Sequence, residues 1–490
     1  MIQIHKKESK EELENYRFIH IKEDIPKFFG FMVTQLIKPK IIKNISKFQI
    51  GAIPGHRSQE HLFCMRSIIS LYNERMKKPV IVSLLDVSKF FDREHLKESL
   101  DSIHDLDIKG KLYRLLYMMN KETIIEVKTG VGMTGKAITD ENVSQGTVDG
   151  SLTSSSSISK GTNDVFKHSN SEITYGGTKV QPLIFVDDLF RACLSIDALK
   201  KGNLLMEQVI ESKLLDFNLK KSKFMVVGKK SMTKELEEEL AGQRIELCGK
   251  EMKRSDSEKW LGDYIHCLGN DESIITTIKK RYGLAVSTIM DIRNIVEDSR
   301  ASITGGMMTG IEIYEMCVIP FLLNNSEVWD HIPKEALELL DILQFIFYTQ
   351  LCGLSRRGTP QKGLLWEVGG VTMNHRIIMR KLNFYHHLKN QNKNSLAHIF
   401  MSIQSELKYP GLIVECEELL IKFGLGEKSP TSFSKEAWKR MTRRKILNEN
   451  RSYILQEMKR YKKMDYLELK EEPFGTKPYF KKMNVKDARL

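Results

Sequence analysis

Cysteine is scarce and scattered in this 490-residue chain: Cys64, Cys193, Cys248, Cys267, Cys317, Cys352 and Cys416. The number is odd, and no two stand in CxxC or zinc-knuckle spacing. That pattern excludes a disulfide framework or a structural zinc site as the organising feature and fits free thiols in a reducing compartment. Long apolar runs are also missing, since no uninterrupted stretch reaches the roughly 20 residues a membrane-spanning helix needs. The opening residues, MIQIHKKESKEELENY, carry too much charge for a signal peptide. No internal repeat is evident. These absences lead us to expect an intracellular protein, in nucleus and cytoplasm, with no membrane partner.

Charge of one sign is in excess. There are 76 Lys and Arg against 63 Asp and Glu, a formal net charge of +13. Such a balance favours a polyanionic partner, nucleic acid before membrane; a Lys-rich composition without such a partner is the plain alternative. The basic residues concentrate near the C-terminus, where Ser434 to Met464 holds eleven Lys or Arg against three Glu. The length calls for two to four domains.

Hydrophobic periodicity places a helix around Lys27 to Ile37 and another from His61 to Tyr72, with a turn or loop at Gly51 to Gly55 between them. Val80 to Leu85 is a nearly continuous apolar run and reads as a buried strand. Leu96 to Met119 reads as one helix and Thr123 to Thr129 as a strand. Gly146 to Gly161 is rich in Ser and Gly and reads as an active-site loop leading into a helix, with a flexible linker as the alternative. A hairpin follows at Val180 to Leu189, then a helix to Leu215, a strand at Phe224 to Val227, and a strand and turn at Lys259 to Ile265. Asp271 to Val296 is a long helix, and the remainder is mostly helical, with breaks at Asn390 to Asn394 and Gly424 to Pro430.

Asp187-Asp188 closes the apolar run Leu183-Ile184-Phe185-Val186. Adjacent carboxylates are disfavoured inside a strand, because an unpaired buried charge costs several kcal/mol. At a hairpin tip, both can face a bound cation. A third carboxylate, Asp86, ends the Val80 to Leu85 strand. Three carboxylates on adjacent strands can hold two divalent cations about 3.5–4 Å apart and so support in-line attack at phosphorus. Magnesium suits oxygen donors, with manganese as a substitute. A bare Asp-Asp pair is more often a surface turn or a cap.

Flanking residues add to that reading. Asp86-Val87-Ser88-Lys89-Phe90-Phe91-Asp92, Ser144-Gln145-Gly146-Thr147, Phe185-Val186-Asp187-Asp188, Asn218-Leu219-Lys220-Lys221-Ser222-Lys223 and Lys259-Trp260-Leu261-Gly262 resemble, in order and spacing, five successive motifs of reverse transcriptases. Asn15-Tyr16-Arg17-Phe18-Ile19 and Gln49-Ile50-Gly51-Ala52-Ile53-Pro54-Gly55-His56-Arg57-Ser58 look like the fingers motifs of non-LTR (LINE-type) retrotransposon polymerases. Pro320 to Trp329, Leu351 to Arg357 and Leu364 to Glu367 look like the same lineage.

The resemblance covers about residues 13 to 390. It implies an α+β, right-hand polymerase fold with a helical C-terminal extension. Its regions would be partial fingers at 1–79, a palm at 80–268, a thumb with connecting helices at 269–390, and a basic, mostly helical region at 391–490. The implied activity is RNA-directed DNA synthesis. An RNA template, a DNA primer or nicked target DNA, and deoxynucleoside triphosphates would be the partners, and two Mg²⁺ ions, or Mn²⁺, the cofactors.

Residue by residue, the resemblance implies metal binding and catalysis by Asp86, Asp187 and Asp188, with the Val87 carbonyl also facing a metal. Phe91 would exclude a ribose 2′-hydroxyl. Gln145 and Gly146 would line the nucleotide pocket, Arg17 would grip the triphosphate, and Lys221 would hold or protonate pyrophosphate. Trp260 and Gly262 would form the turn under the primer end, while Lys279, Lys280 and Arg281 would face a duplex backbone. The Ser434 to Met464 segment would hold template phosphates, with Trp438 and Tyr453 stacking on bases.

Thr147-Val148-Asp149-Gly150 departs from the family's Pro-containing run, and Asp149 is expected to bring negative charge to the nucleotide site. No endonuclease domain precedes the palm and no RNase H pattern follows the thumb. The fingers begin within fifteen residues of Met1, which reads as a truncated mobile-element fragment or a late-starting gene model. A decayed or domesticated polymerase fold that binds RNA without catalysis is the alternative. An intron maturase or a telomerase is a third reading, less favoured by the Leu351 to Glu367 match.

Overall fold

A computed structural model describes residues 1–5, 9–139, 143, 146–147, 149–166, 173–298 and 306–460. The chain divides into two compact units. One comprises Met1–Ile68 with Met76–Leu261, and the other Ile69–Arg75 with Gly262–Leu490.

The first unit is built on a five-stranded sheet: β1 (Val80–Asp86), β2 (Leu183–Phe185), β3 (Asp188–Cys193), β4 (Lys223–Val227) and β5 (Lys253–Arg254), in the spatial order β2-β3-β1-β4-β5. The pairings are antiparallel except β4 with β5. Val80, Ile81, Val82, Leu84 and Leu85 are all buried. Successive strand residues point to opposite faces, so both faces of β1 must be covered, and that is why the run reads as continuously apolar rather than alternating. On one face Ile81, Leu85, Leu189, Cys193 and Phe224 join a core with Ile158, Leu199 and Met206 from helices α1 (Gly150–Phe166) and α2 (Ile196–Glu211). On the other, Phe190 packs on Trp260 with ring centroids 5.0 Å apart.

One expectation from the sequence is corrected here and another is sharpened. Leu96 to Met119 is two helices, Leu96–Asp105 and Gly110–Asn120. They are broken where Asp107 and Gly110 adopt φ of 68° and 63°, values that end an α-helix. The Ser-rich stretch is mostly helix, and Ser154, Ser155, Ser156 and Ser157 are fully buried on α1. Ser156 Oγ bonds back within the helix, donating to the Leu152 carbonyl at 2.8 Å, and Ser155 Oγ reaches out of it to the Gly51 carbonyl at 2.8 Å.

Apart from the strand Asp263–His266, the second unit is mostly helical among its described residues, with long helices α3 (Asn270–Asp298), α4 (Lys334–Leu351), α5 (Met373–Lys389) and α6 (Lys435–Met458). The expected breaks fall between Lys389 and Leu396 and between Lys422 and Pro430. In α6 the residues Trp438, Thr442, Ile446, Asn450, Ile454 and Met458 form a buried stripe with a four-residue step, which leaves the basic residues on the outer face. Trp438 lies fully inside, its Nε1–H donating to the Leu382 carbonyl at 3.0 Å, so it packs the core and cannot stack on a base. No helix among the described residues is long and apolar enough to cross a membrane.

Candidate active site

Asp86 is the last residue of β1 and Asp188 the first of β3, and the register sets them directly opposite each other. Like charges opposite one another oppose strand pairing. Asp187 completes the group from the two-residue turn joining β2 to β3. Burial, then Asp188 and Asp86, push the Asp187 carboxyl up to about 7. The Asp188 carboxyl is raised as well, by burial first and Asp86 second. Lys221 is the near cation, with Nζ 3.2 Å from one Asp86 carboxylate oxygen and 3.4 Å from the other. That lysine is largely exposed and meets only one of the three acids. The Ser222 hydroxyl accepts the Asp86 amide hydrogen at 3.2 Å, and the Asn218 amide donates to the Asp86 carbonyl at 2.7 Å, so the backbone under Asp86 is pinned.

The Val87 carbonyl is placed by the same bonds. Val87 bridges Phe217 antiparallel, but the bonds of that bridge run from the Asn218 and Ser88 amides. Val87 therefore spends neither of its own polar groups there, and alternation turns its carbonyl toward the opposite edge, where Asp188 lies. The donor set on offer is oxygen alone, which suits magnesium or manganese and not a soft metal. Among the described residues, no three His, Cys, Asp or Glu side chains are gathered into a ready-made metal cage.

The turn itself is strained. Val186, its first residue, has φ of 62°, a region that β-branched side chains avoid. Such a conformation costs about 1–3 kcal/mol and persists only when surrounding structure imposes it. The surrounding structure is the Phe48–Gly51 segment. The Ile184 amide donates to the Phe48 carbonyl at 2.8 Å, and the Ile50 amide to the Ile184 carbonyl at 3.2 Å. The buried Gln49 side chain accepts from Val186 N–H at 3.2 Å and from Gly51 N–H at 2.8 Å. A Cβ on Gly51 would lie 2.2 Å from the Val186 nitrogen, so only glycine allows this approach. His61 Nε2 lies 2.9 Å from the Phe48 carbonyl oxygen and 3.1 Å from that of Ile184. Burial drives its pKa down to about 4, which keeps the ring neutral near pH 7. Sequence reasoning quoted Gln49 and Gly51 within a motif but gave them no role. Their partner lies 137 residues away, and no local signal reports it.

The other expected site residues fall as follows. Phe91 is half-buried and packs edge-on against Phe90, with centroids 5.4 Å apart. Gly146 has φ of 95°, and a Cβ there would meet Ile19 Cγ2 at 2.8 Å. This docks the segment against the end of the Tyr16–Ile19 strand, which carries the exposed Arg17. Gln145 lies outside the described residues. Asp149 does not bring charge to a pocket. It is buried, with its carboxylate accepting from Asn120 Nδ2 at 2.8 Å and its carbonyl from the Thr153 amide at 2.9 Å at the start of α1.

One expected nucleic-acid contact is corrected and the place of another is sharpened. The Trp260 indole, at the expected turn, is buried between Phe190 and His61. The turn is real nonetheless, since Leu261 and Gly262 have φ of 46° and 94°. Arg281 is buried and committed inside the second unit. Its guanidinium meets Asp263 Oδ1 at 2.9 Å and donates to the carbonyls of Gly262 at 2.8 Å, Asn324 at 2.8 Å and Leu322 at 3.2 Å. Its neighbours Lys279 and Lys280 are exposed, Lys279 in an ion pair of 2.8 Å with Glu335.

Residues 4–265 match the family described as reverse transcriptase (RNA-dependent DNA polymerase). No curated protein matches. Among solved structures, the chain is similar to apo telomerase from Candida tropicalis, with 11% identity and a TM-score of 0.39, covering 84% of this chain and 61% of that one. It is also similar to telomerase from Candida albicans in complex with the TWJ fragment of telomeric RNA, with 12% identity and a TM-score of 0.38, covering 82% and 57%. The chain thus spans less than two thirds of the length of these structures.

Proposed function

Because the chain belongs to the reverse transcriptase (RNA-dependent DNA polymerase) family, we propose that it extends a primer 3′-hydroxyl with deoxynucleotides on an RNA template, as the polymerase of a non-LTR retrotransposon. The observation that supports this reading is Asp86 and Asp188 set opposite each other at the ends of paired strands, with Asp187 in the adjoining turn and Lys221 beside Asp86.

The residue roles are those the family resemblance implies. The opposed carboxylates of Asp86 and Asp188, the Asp187 carboxylate in the turn and the Val87 carbonyl offer oxygens toward one edge of the sheet. Two bound Mg²⁺ ions, with Mn²⁺ as a substitute, would there lower the pKa of the attacking hydroxyl and steady the leaving pyrophosphate. Lys221, largely exposed, would release Asp86 if a cation competed for it and would then be free to meet the leaving group. Phe91, five residues beyond Asp86, supports a steric gate against a ribose 2′-hydroxyl. Gly146 supports close backbone approach to the nucleotide, and Arg17 on the neighbouring strand supports a grip on its phosphates. Lys279 and Lys280, with the basic outer face of α6, support binding of RNA or duplex backbone. The division into fingers, palm, thumb and a basic C-terminal region belongs to the same proposal.

The buried Asp149 weakens the case for a decayed, non-catalytic protein, since its carboxylate is held by Asn120 Nδ2 and does not face a pocket. The test is primer extension with RNA and DNA templates, deoxy- and ribonucleotides, and the Phe91→Ala variant. We expect deoxynucleotide extension on RNA by the wild type, and ribonucleotide incorporation appearing in Phe91→Ala. Extension on DNA templates only, or unchanged nucleotide choice in the variant, would overturn the assignment.

A further inference from the structure

We propose that Gln49 is a positioning residue that clamps the Val186-Asp187 turn and thereby sets where the Asp187 and Asp188 carboxylates stand. This rests on the polymerase reading of the same carboxylates.

The clamp is two-sided. The Gln49 carbonyl oxygen takes the N–H of Val186, and its amide nitrogen stands 3.4 Å from the Val186 carbonyl, so one side chain reaches both ends of the residue in the left-handed region. The clamp is itself held. Gly51 N–H shares the Gln49 oxygen at 2.8 Å, and the Ser155 hydroxyl on α1 donates to the Gly51 carbonyl at 2.8 Å. Gln49 is 1% exposed, so its amide has no water to turn to and its bonds are made within the protein. A valine needs this support because its side chain opposes positive φ. A glycine at 186 would not, which gives the proposal a discriminating control. Gln49 touches no carboxylate. Its effect on catalysis would run through the turn, as outer groups orient metal ligands elsewhere.

The experiment compares full-length wild type, Gln49→Ala, Val186→Gly and the double variant. Mn²⁺ affinity would be read by electron paramagnetic resonance of the free ion, and extension kinetics on primed RNA in parallel. We expect Gln49→Ala to weaken Mn²⁺ binding and lower kcat by about 10-fold each, with KM for the deoxynucleotide and RNA affinity little changed. In the Val186→Gly background the same substitution should change Mn²⁺ affinity by less than about 2-fold, because the strain it restrains is gone. Gln49→Met keeps the side-chain volume without the amide. It should behave as Gln49→Ala does if the hydrogen bonds matter, and serves in its place if the alanine variant fails to fold.

Unchanged Mn²⁺ affinity in both Gln49 variants, or an equal loss with valine and with glycine at 186, would overturn the proposal. If the wild type extends no primer while Mn²⁺ affinity still depends on Gln49, the polymerase reading fails and the clamp stands. If extension proceeds and the Gln49 variants match the wild type, the clamp alone fails.

Discussion

Two carboxylate sites in this molecule have opposite fates. In the second unit, Asp263 is fully buried and answered by its own chain: Arg281 at 2.9 Å and Asn325 Nδ2 at 3.2 Å on one oxygen, and Trp329 Nε1 at 2.9 Å on the other. In the first unit, Asp86, Asp187 and Asp188 crowd one another, and among the described residues only Lys221 approaches as a cation. A buried charge kept for structure is surrounded by donors until nothing more is needed. A cluster left short of positive charge, on a strained turn held in place by other residues, fits the cation binding proposed for it.

The largest expected effect breaks the comparison at its functional end. Asp86→Asn should reduce primer extension by on the order of 10³-fold or more with RNA binding retained. A reduction under tenfold would mean that the cluster is no more functional than Asp263.

Next is the structural end. Asp263→Ala strands a buried guanidinium and should destabilise the protein by about 3–5 kcal/mol, read as a fall in Tm or urea midpoint. A surface-like change near zero would show that the network is not what holds Arg281.

A third effect sharpens the contrast through pH. In metal-free protein the Asp187 carboxyl titrates near 7 when folded, against an ordinary value of 3.8. Between those values the folded state holds the extra proton, so stability from this group falls as pH rises from about 4 to about 7. Glu94, raised by burial to about 7, adds a slope of the same sign, while His61, lowered to about 4, adds the opposite sign below 6.5. The difference between wild type and Asp187→Asn isolates the one group, and the variant should show the shallower decline on urea unfolding at stepped pH. Parallel curves would contradict the raised Asp187 carboxyl.

The smallest effect concerns the exposed cations. Lys280→Ala should weaken RNA binding about 2- to 3-fold and lower the slope of log affinity against log salt by about one unit, with Tm unchanged. Its neighbour Arg281 should act only through stability, so Arg281→Ala that keeps Tm but loses RNA affinity would reverse the assignment given to the two residues.

What the sequence made legible was what depends on short range. The buried strand at Val80 to Leu85, the hairpin carrying Asp187-Asp188 and the helix breaks near Asn390 and Gly424 all follow from local periodicity and turn chemistry. The opposition of Asp86 and Asp188 was approachable because both end apolar runs. The hold of Gln49 on Val186 was not, since it joins segments 137 residues apart through one side chain. Nor was the fate of Arg281: in Lys279-Lys280-Arg281 all three read as a basic patch, and the helix turns the third inward to Asp263. Asp149 misled for a similar reason, because an acid at a helix start beside a buried Asn120 looks, in sequence, the same as an acid facing a pocket. Trp260 and Trp438 went to the core, as large aromatics usually do once a sheet or helix stripe has to be covered.

The most direct test of the account is the thermal stability of the protein against Mg²⁺ concentration at pH 8, for wild type and for an Asp187→Asn, Asp188→Asn double variant. Cations bound only by the folded state stabilise it by mass action. The wild-type Tm should climb with Mg²⁺ while that of the double variant stays flat, its starting Tm without metal being equal or higher because the repulsion is gone. A Tm that rises equally in both, or in neither, would contradict the claim that these carboxylates stand together to receive divalent cations.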